Sequence, residues 1–228
     1  MRSSLILVGG EARRADGMEK YFFSLGGQTF IARLVGTLYT VTDEVVLVAR
    51  NPDQCRRFRE VPQIRCVADI RRGIGPVGGL HAGIQAVQGD VVFVCACDMP
   101  CVEAHAVSLL FSSIGTYDAV IPCWDKEKIE PLHAVYRKEP LMHLLEEVSC
   151  HSLRALVTHL NVRYLNVGAF RADDPELQTF TNINRLEDLA AMSGVMGRSA
   201  IEEPAAQDER EGSTDGVFGQ VRTGGATD

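Results

Sequence analysis

Hydrophobic and polar positions along the first 200 residues follow two alternating patterns. Short runs rich in Val, Ile and Leu recur at 4–8, 44–49, 64–68, 90–95, 118–122, 133–137 and 162–167, and β-branched runs of that length bounded by turn residues predict strands. Segments 29–39, 53–58, 79–87, 103–113, 140–147, 152–160 and 186–192 lie between or after them and predict helices. The early strands are apolar nearly throughout, as strands are when crossover helices cover both faces of a sheet. The alternation predicts an α/β fold with three layers, α/β/α, around a Rossmann-like, mainly parallel sheet.

The pattern stops near residue 200. Residues 201–228 hold seven acidic and two basic residues, five Gly and seven apolar side chains, a composition that buries too little apolar surface to fold. The expected organisation is one domain over 1–200 and a disordered acidic C-terminal tail over 201–228. The net charge of −7 at pH 7 has the wrong sign for a general binder of nucleic acid or of an anionic membrane. Much of that charge belongs to the tail, since residues 1–200 carry 21 Lys and Arg against 23 Asp and Glu.

The longest apolar run, residues 91–97, is far short of the about 20 residues that a spanning helix needs. The apolar stretch at 5–8 is too short for a secretory signal. A cytoplasmic protein with no nucleic-acid and no membrane partner is therefore expected. Seven Cys, an odd number with several in strand-like surroundings, read as free thiols rather than a disulfide framework. No pair of CxxC or HxxxH elements organises four ligands for zinc.

In open parallel sheets ligands bind beyond the carboxyl ends of the strands, and three such ends carry chemistry. The first strand runs through Leu7 and Val8 into Gly9-Gly10, with Arg14 and Lys20 in the loop that follows. Glycines there allow close backbone approach to a ligand, and the two cations suit the phosphates of a nucleoside triphosphate. The spacing matches neither GxxxxGK[ST] nor GxGxxG, which disfavours a P-loop enzyme and a dinucleotide-dependent oxidoreductase. Asp69 ends the third strand and precedes Gly75-Pro76-Val77-Gly78-Gly79, an acid that accepts from a base or ribose beside a Gly-rich turn. Asp98 follows the fourth strand directly and is trailed by Met99-Pro100. One carboxylate in such a place suits Mg2+, which takes few protein ligands and completes its shell with phosphate oxygens and water.

The series LVGG with Arg14 and Lys20, then Asp69 with GPVGGL, CDMP at 97–100, EPLHAVY at 130–136 and FTNIN at 180–184 resembles the molybdenum cofactor guanylyltransferase family, within the nucleotide-diphospho-sugar transferase-like superfamily. The resemblance runs in order from about Leu5 to Leu189. It implies the nucleotide-diphospho-sugar transferase fold and transfer of GMP from GTP to the terminal phosphate of Mo-molybdopterin, with Mg2+ and release of pyrophosphate. It further implies nucleotide binding by Leu7, Val8, Gly9, Gly10, Lys20, Asp69, Gly75, Pro76, Gly78 and Asp98, with Arg14, Lys20 and Asp98 catalytic and Asp98 the metal ligand. Asn182 and Asn184 would face the acceptor. GTP and Mo-molybdopterin would be the substrates, with room for transient molybdoenzyme or cofactor-insertion partners; the oligomeric state stays open.

The loop Arg14-Ala15-Asp16-Gly17 departs from the family's R-M-G by placing an acid near the phosphates, and Val48 stands where some members have Asn. A nucleotidyltransferase using CTP or another phosphorylated acceptor, or a non-catalytic GTP-binding adaptor, remain alternatives. Trp124 and His133 flank a charged excursion at 123–131 and read first as a rim aromatic and a locally hydrogen-bonded His. Arg71 and Arg72 read as solvated loop charges, and His151 and His159 as helix-surface residues.

Overall fold

Leu5 and Ile6, adjacent in the first strand, are both fully buried, yet each belongs to a different core. Successive side chains of a strand point to opposite faces, so this strand lies in the middle layer of three. The computed structural model describes residues 1–9, 21, 23–61, 63–71, 73–147, 152–185 and 187–189. The expectations for Gly10, Arg14, Lys20, Arg72 and His151, for most of the 186–192 helix and for the 201–228 tail fall outside these residues.

The elements in chain order are β1 (Arg2–Leu7), β2 (Ser24–Leu25), β3 (Gln28–Thr29), α1 (Phe30–Tyr39), β4 (Glu44–Ala49), α2 (Pro52–Arg56), β5 (Arg65–Ala68), α3 (Pro76–Ala86), β6 (Val91–Ala96), α4 (Ala104–Ser112), β7 (Ala119–Cys123), β8 (His133–Arg137), α5 (Lys138–Glu147), α6 (Leu153–Val157) and β9 (Val162–Asn166). Among the described residues one sheet of seven strands has the order β5-β4-β1-β6-β8-β7-β9. All neighbours are parallel except β8, which is antiparallel to β6 and to β7. The mainly parallel α/β fold is therefore present. No helix of the described residues is long and apolar enough to cross a membrane.

One core gathers Ile31 and Leu34 of α1, Val107 and Leu110 of α4 and Phe58 after α2 on the Ile6 face of the sheet. The other gathers Leu80 and Ile84 of α3, Leu141 and Leu145 of α5 and Leu156 of α6 on the Leu5 face. Burying a Leu or Ile side chain contributes about 1.5–3 kcal/mol, so both faces clamp the sheet between helices. α3 sits directly on β1: a Cβ on Gly83 would stand 2.4 Å from Leu5 Cδ1.

Three departures from the sequence pattern bear on the site. α3 begins at Pro76 rather than 79 and carries Pro in its first turn, where the missing N–H is not needed and the fixed φ suits a helix. The β2–β3 hairpin was not expected, because two-residue strands show no periodicity. Its turn is Gly26-Gly27, both with positive φ (63° and 75°), and Gly-Gly between short runs is itself a hairpin signal. The excursion at 123–131 is not irregular throughout. It extends β7 as a ribbon, with Cys123 bridged to Ile129, Trp124 N–H donating to Lys128 C=O at 2.9 Å, and Asp125 Oδ1 accepting from the Glu127 and Lys128 amides at 2.7 Å each.

Candidate active site

β1 lies between β4 and β6, and from it the chain winds to one side through β4 and β5 before returning to β6 on the other. That reversal opens a crevice at the carboxyl ends of the strands, where α/β proteins bind ligands. A run of main-chain hydrogen bonds crosses this edge. Asp69 N–H donates to Ala49 C=O (2.7 Å), Val8 N–H to Val48 C=O (2.9 Å), Cys97 N–H to Leu7 C=O (3.1 Å) and Ile183 N–H to Asp98 C=O (2.8 Å). Asp69, Leu7, Val8, Asp98 and the Asn182–Asn184 segment thus share one edge although they are scattered along the chain.

On the β4–β5 side, Asp69 is half-buried, and its Oδ1 accepts from the Arg71 amide at 2.7 Å. The first turn of α3 comes so close that a Cβ on Gly78 would lie 2.9 Å from Asp69 Oδ1. Gly75, just before the helix, has φ +67°, a conformation that favours glycine. Together they aim the positive end of the α3 dipole at the crevice, an arrangement suited to an anionic ligand. Arg71 is not a solvated loop charge: its Nη1 donates to Leu145 C=O of α5 at 3.1 Å, fastening the loop after β5 to the domain.

At β1, both main-chain groups of Val8 are engaged within the protein, the N–H by Val48 and the carbonyl by Gln54 Nε2 at 3.3 Å. Gly9 is exposed, and a Cβ there would come within 3.1 Å of the Arg50 amide. Gln54 was not singled out from the sequence. It is buried, donates also to Tyr21 Oη at 3.2 Å, and its Oε1 accepts from the Arg50 amide at 2.6 Å, so one side chain ties the ends of β1 and β4 together. The legible signal was Asn51-Pro52-Asp53-Gln54, a helix start with Gln three residues after the cap. Asn51 Oδ1 does accept from the Gln54 amide at 2.8 Å, but the Gln side chain reaches past the cap to Arg50.

On the β6 side, Asp98 is half-buried in the turn after the strand. Asn182 and Asn184 are exposed on either side of Ile183, which is fully buried with Phe23, Leu25, Phe30 and Cys101. The segment before them is anchored by Thr179, also fully buried, whose Oγ1 accepts from the Glu103 amide at the start of α4 (3.1 Å) and lies 3.4 Å from His133 Nε2. Phe180 packs at a tilt against His133 with ring centroids 4.7 Å apart and meets Trp124 edge-on at 5.9 Å. Trp124 Nε1 donates to Glu130 Oε1 at 2.8 Å, and Lys128 Nζ sits 4.3 Å over its ring. Trp124 and His133 therefore hold the late segment in place beside Asp98. His159 is exposed in the turn after α6.

Among the described residues no three His, Cys, Asp or Glu side chains gather as a metal cage. Asp98 offers hard carboxylate oxygen at the switch point, and such a donor fits Mg2+, which dehydrates reluctantly and relies on substrate oxygens. Cys95, on the strand before it, is fully buried, and burial pushes its thiol pKa up, with Cys97 and Asp98 adding to the shift. It is an inert packing residue, not a nucleophile.

The model of the MobA-like NTP transferase domain matches residues 4–164, from β1 into β9. The chain belongs to the MobA-like NTP transferase family. This member is a nucleotidyltransferase. It is 36% identical over 208 residues, 86% of this chain and 92% of the relative, to a "Probable molybdenum cofactor guanylyltransferase" of Methanosarcina acetivorans. A molybdenum cofactor guanylyltransferase of Desulfosudis oleivorans is 32% identical over 193 residues, 82% of this chain and 92% of that one. Among solved structures, the molybdopterin-guanine dinucleotide biosynthesis protein A of Archaeoglobus fulgidus superposes with a TM-score of 0.72 at 29% identity, covering 86% of this transferase and 99% of that chain.

Proposed function

We propose that this transferase moves GMP from GTP to the terminal phosphate of Mo-molybdopterin, forming the guanine dinucleotide form of the molybdenum cofactor and releasing pyrophosphate. The observation that carries the reading is the 2.8 Å bond from Ile183 N–H to Asp98 C=O. It sets the Asn182–Asn184 segment, the side proposed for the acceptor, beside the residue whose carboxylate is proposed for the nucleotide. The relatives' names support the choice of GTP and of the pterin acceptor.

The attacking group is an oxygen of the acceptor phosphate, and its target is the α-phosphorus of GTP. A phosphate monoester has its second pKa near 6, so the nucleophile is already mostly dianionic at neutral pH and needs orientation rather than a protein base. In this reading Leu7, Val8, Gly9 and Gly10 bring the backbone of the β1 end to the nucleotide, and Asp69 accepts from its nucleoside part. Gly75, Pro76 and Gly78 seat it at the start of α3, where Gly78 leaves room for Asp69. Arg14 and Lys20 neutralise the leaving pyrophosphate, and Asn182 and Asn184 hold the acceptor. Asp98 would hold Mg2+, which when bound neutralises charge on the phosphate oxygens. A cytoplasmic site of action and a domain over 1–200 followed by a separate tail belong to the same reading.

The test is pyrophosphate release with a molybdopterin-type acceptor and Mg2+, comparing GTP with CTP and ATP, for the wild type and Asp98→Ala. Release selective for GTP and lost in the variant is expected. A preference for CTP would overturn the substrate assignment, and GTP binding without release under any acceptor would make the protein an adaptor.

A further inference from the structure

At the β5 edge of the sheet, on the strand that leads into Asp69, two thiols meet. Cys55 lies in α2 and Cys66 in β5, and their Sγ atoms are 2.9 Å apart. Both are half-buried. They line a cavity of about 620 Å³ together with Phe58, Arg56 and Arg59. Arg56 is ion-paired with Asp53, while Arg59 is exposed.

We propose that Cys55 and Cys66 form a redox-active dithiol that a small anionic disulfide, such as glutathione disulfide, converts to an intramolecular disulfide. Four observations carry this. The sulfurs already stand close to the about 2.05 Å of an S–S bond. Each also sits on an element able to yield the remaining fraction of an ångström: among the described residues β5 pairs on one side only, with β4, and α2 has five residues. The cavity gives a small molecule access to the sulfurs, whereas Cys95 is sealed in β6 and Cys101 is buried with Phe30 and Ile183. Finally, the guanidinium groups at the cavity wall favour carboxylate-bearing ligands.

The chemistry balances without any further reactant. Cys55 Sγ attacks one sulfur of the small disulfide, forming a mixed disulfide and expelling one small thiol. Cys66 Sγ then attacks Cys55 Sγ and expels the second small thiol. The two protein thiols lose two electrons and two protons, and the two small thiols that leave carry both. Burial, followed by the hydrogen bond and charge of Cys55, pushes the Cys66 thiol pKa up, which suits Cys66 to the second, intramolecular step, where proximity compensates for low thiolate content.

The experiment uses the full chain, reduced and then exposed to glutathione disulfide, alkylated to block remaining thiols and cleaved with trypsin. Cleavage after Arg50, Arg56, Arg65 and Arg71 puts Cys55 in peptide 51–56 and Cys66 in peptide 66–71. The expected result is these two peptides joined, two hydrogens lighter than their sum and separated again by dithiothreitol. In Cys66→Ser, peptide 51–56 should instead retain one glutathione. Alkylation of both peptides in the wild type, glutathione retained on both, or either cysteine joined to a different one would overturn the proposal, and these wild-type readings stand whether or not the variant folds.

Discussion

Gly78 lies against the carboxylate of Asp69: a Cβ on Gly78 would stand 2.9 Å from Oδ1 and 3.0 Å from Oδ2, and 2.5 Å from the Arg71 carbonyl oxygen. The last of these is main chain and cannot swing aside. Gly78→Ala must therefore shift either the first turn of α3 or the loop after β5, and such overpacking costs about 1–3 kcal/mol. Because the strain falls where the nucleoside is proposed to bind, we expect the KM for GTP to rise about tenfold. Gly36→Ala is the control. Its Cβ meets nothing within 4 Å on the exposed face of α1, so initial-rate kinetics should be unchanged.

Ile183 is the hinge between packing and the acceptor side. It is fully buried with Phe23, Leu25, Phe30 and Cys101, and its amide holds Asp98. Ile183→Ala should cost about 2–5 kcal/mol of stability, and Ile183→Val about 0.5–1.5 kcal/mol. The kinetic effect should appear as a raised KM for the pterin acceptor with the KM for GTP little changed. Equal rises for both substrates would show that Asn182 and Asn184 do not act on the acceptor alone.

Lys20, which follows the glycines in the sequence, is proposed to stabilise the departing pyrophosphate. Removing one preorganised electrostatic donor costs roughly 10²–10³ in kcat, and Lys20→Ala should fall in that range in a pyrophosphate-release assay. Lys20→Arg should recover part of the loss because it keeps the charge. Near-wild-type turnover in Lys20→Ala would remove this residue from the catalytic set.

His133 sets a pH limit on stability. It is fully buried between Phe93 and Phe180, its Nδ1 lacks a hydrogen-bond partner, and burial pushes its pKa down from 6.5 to about 3. Between those values the unfolded chain binds a proton that the folded protein refuses, so stability is complete above about pH 6.5 and is lost as the pH falls towards 3. The loss approaches tenfold in the unfolding constant per pH unit. Denaturant titrations should show His133→Gln, which cannot titrate, losing less stability than the wild type between about pH 7 and about pH 5. Parallel curves would exclude His133 as the cause.

Much of the frame was legible along the chain because its causes are local. A β-branched run such as Glu44–Ala49 can bury both faces only as a strand in a covered sheet, and it forms β4 at the expected boundaries. Alternation with helices made the sheet mainly parallel, and an acid within two residues of such a strand's end, as at Asp69 and Asp98, had to emerge at the carboxyl edge. The Gly-Gly, GPVGG and CDMP segments were found for that reason.

What the tertiary structure decided rests on contacts between distant positions, which no local pattern encodes. The antiparallel insertion of β8 between β6 and β7 depends on how the strands pair. That Asn182 and Asn184 flank a residue bonded to Asp98 depends on Thr179, Phe180 and Ile183 finding buried partners contributed by α1, α4, β8 and the β2–β3 hairpin. Gln54, by its composition an ordinary helix residue, joins two strand ends because α2 packs where its amide replaces missing main-chain partners. Cys55 and Cys66 read as two unremarkable thiols until an edge strand and a short helix bring their sulfurs together. Periodicity and turn chemistry determine which elements form and which ends carry function; the pairing of buried polar groups and the burial of apolar surface determine which of those ends meet.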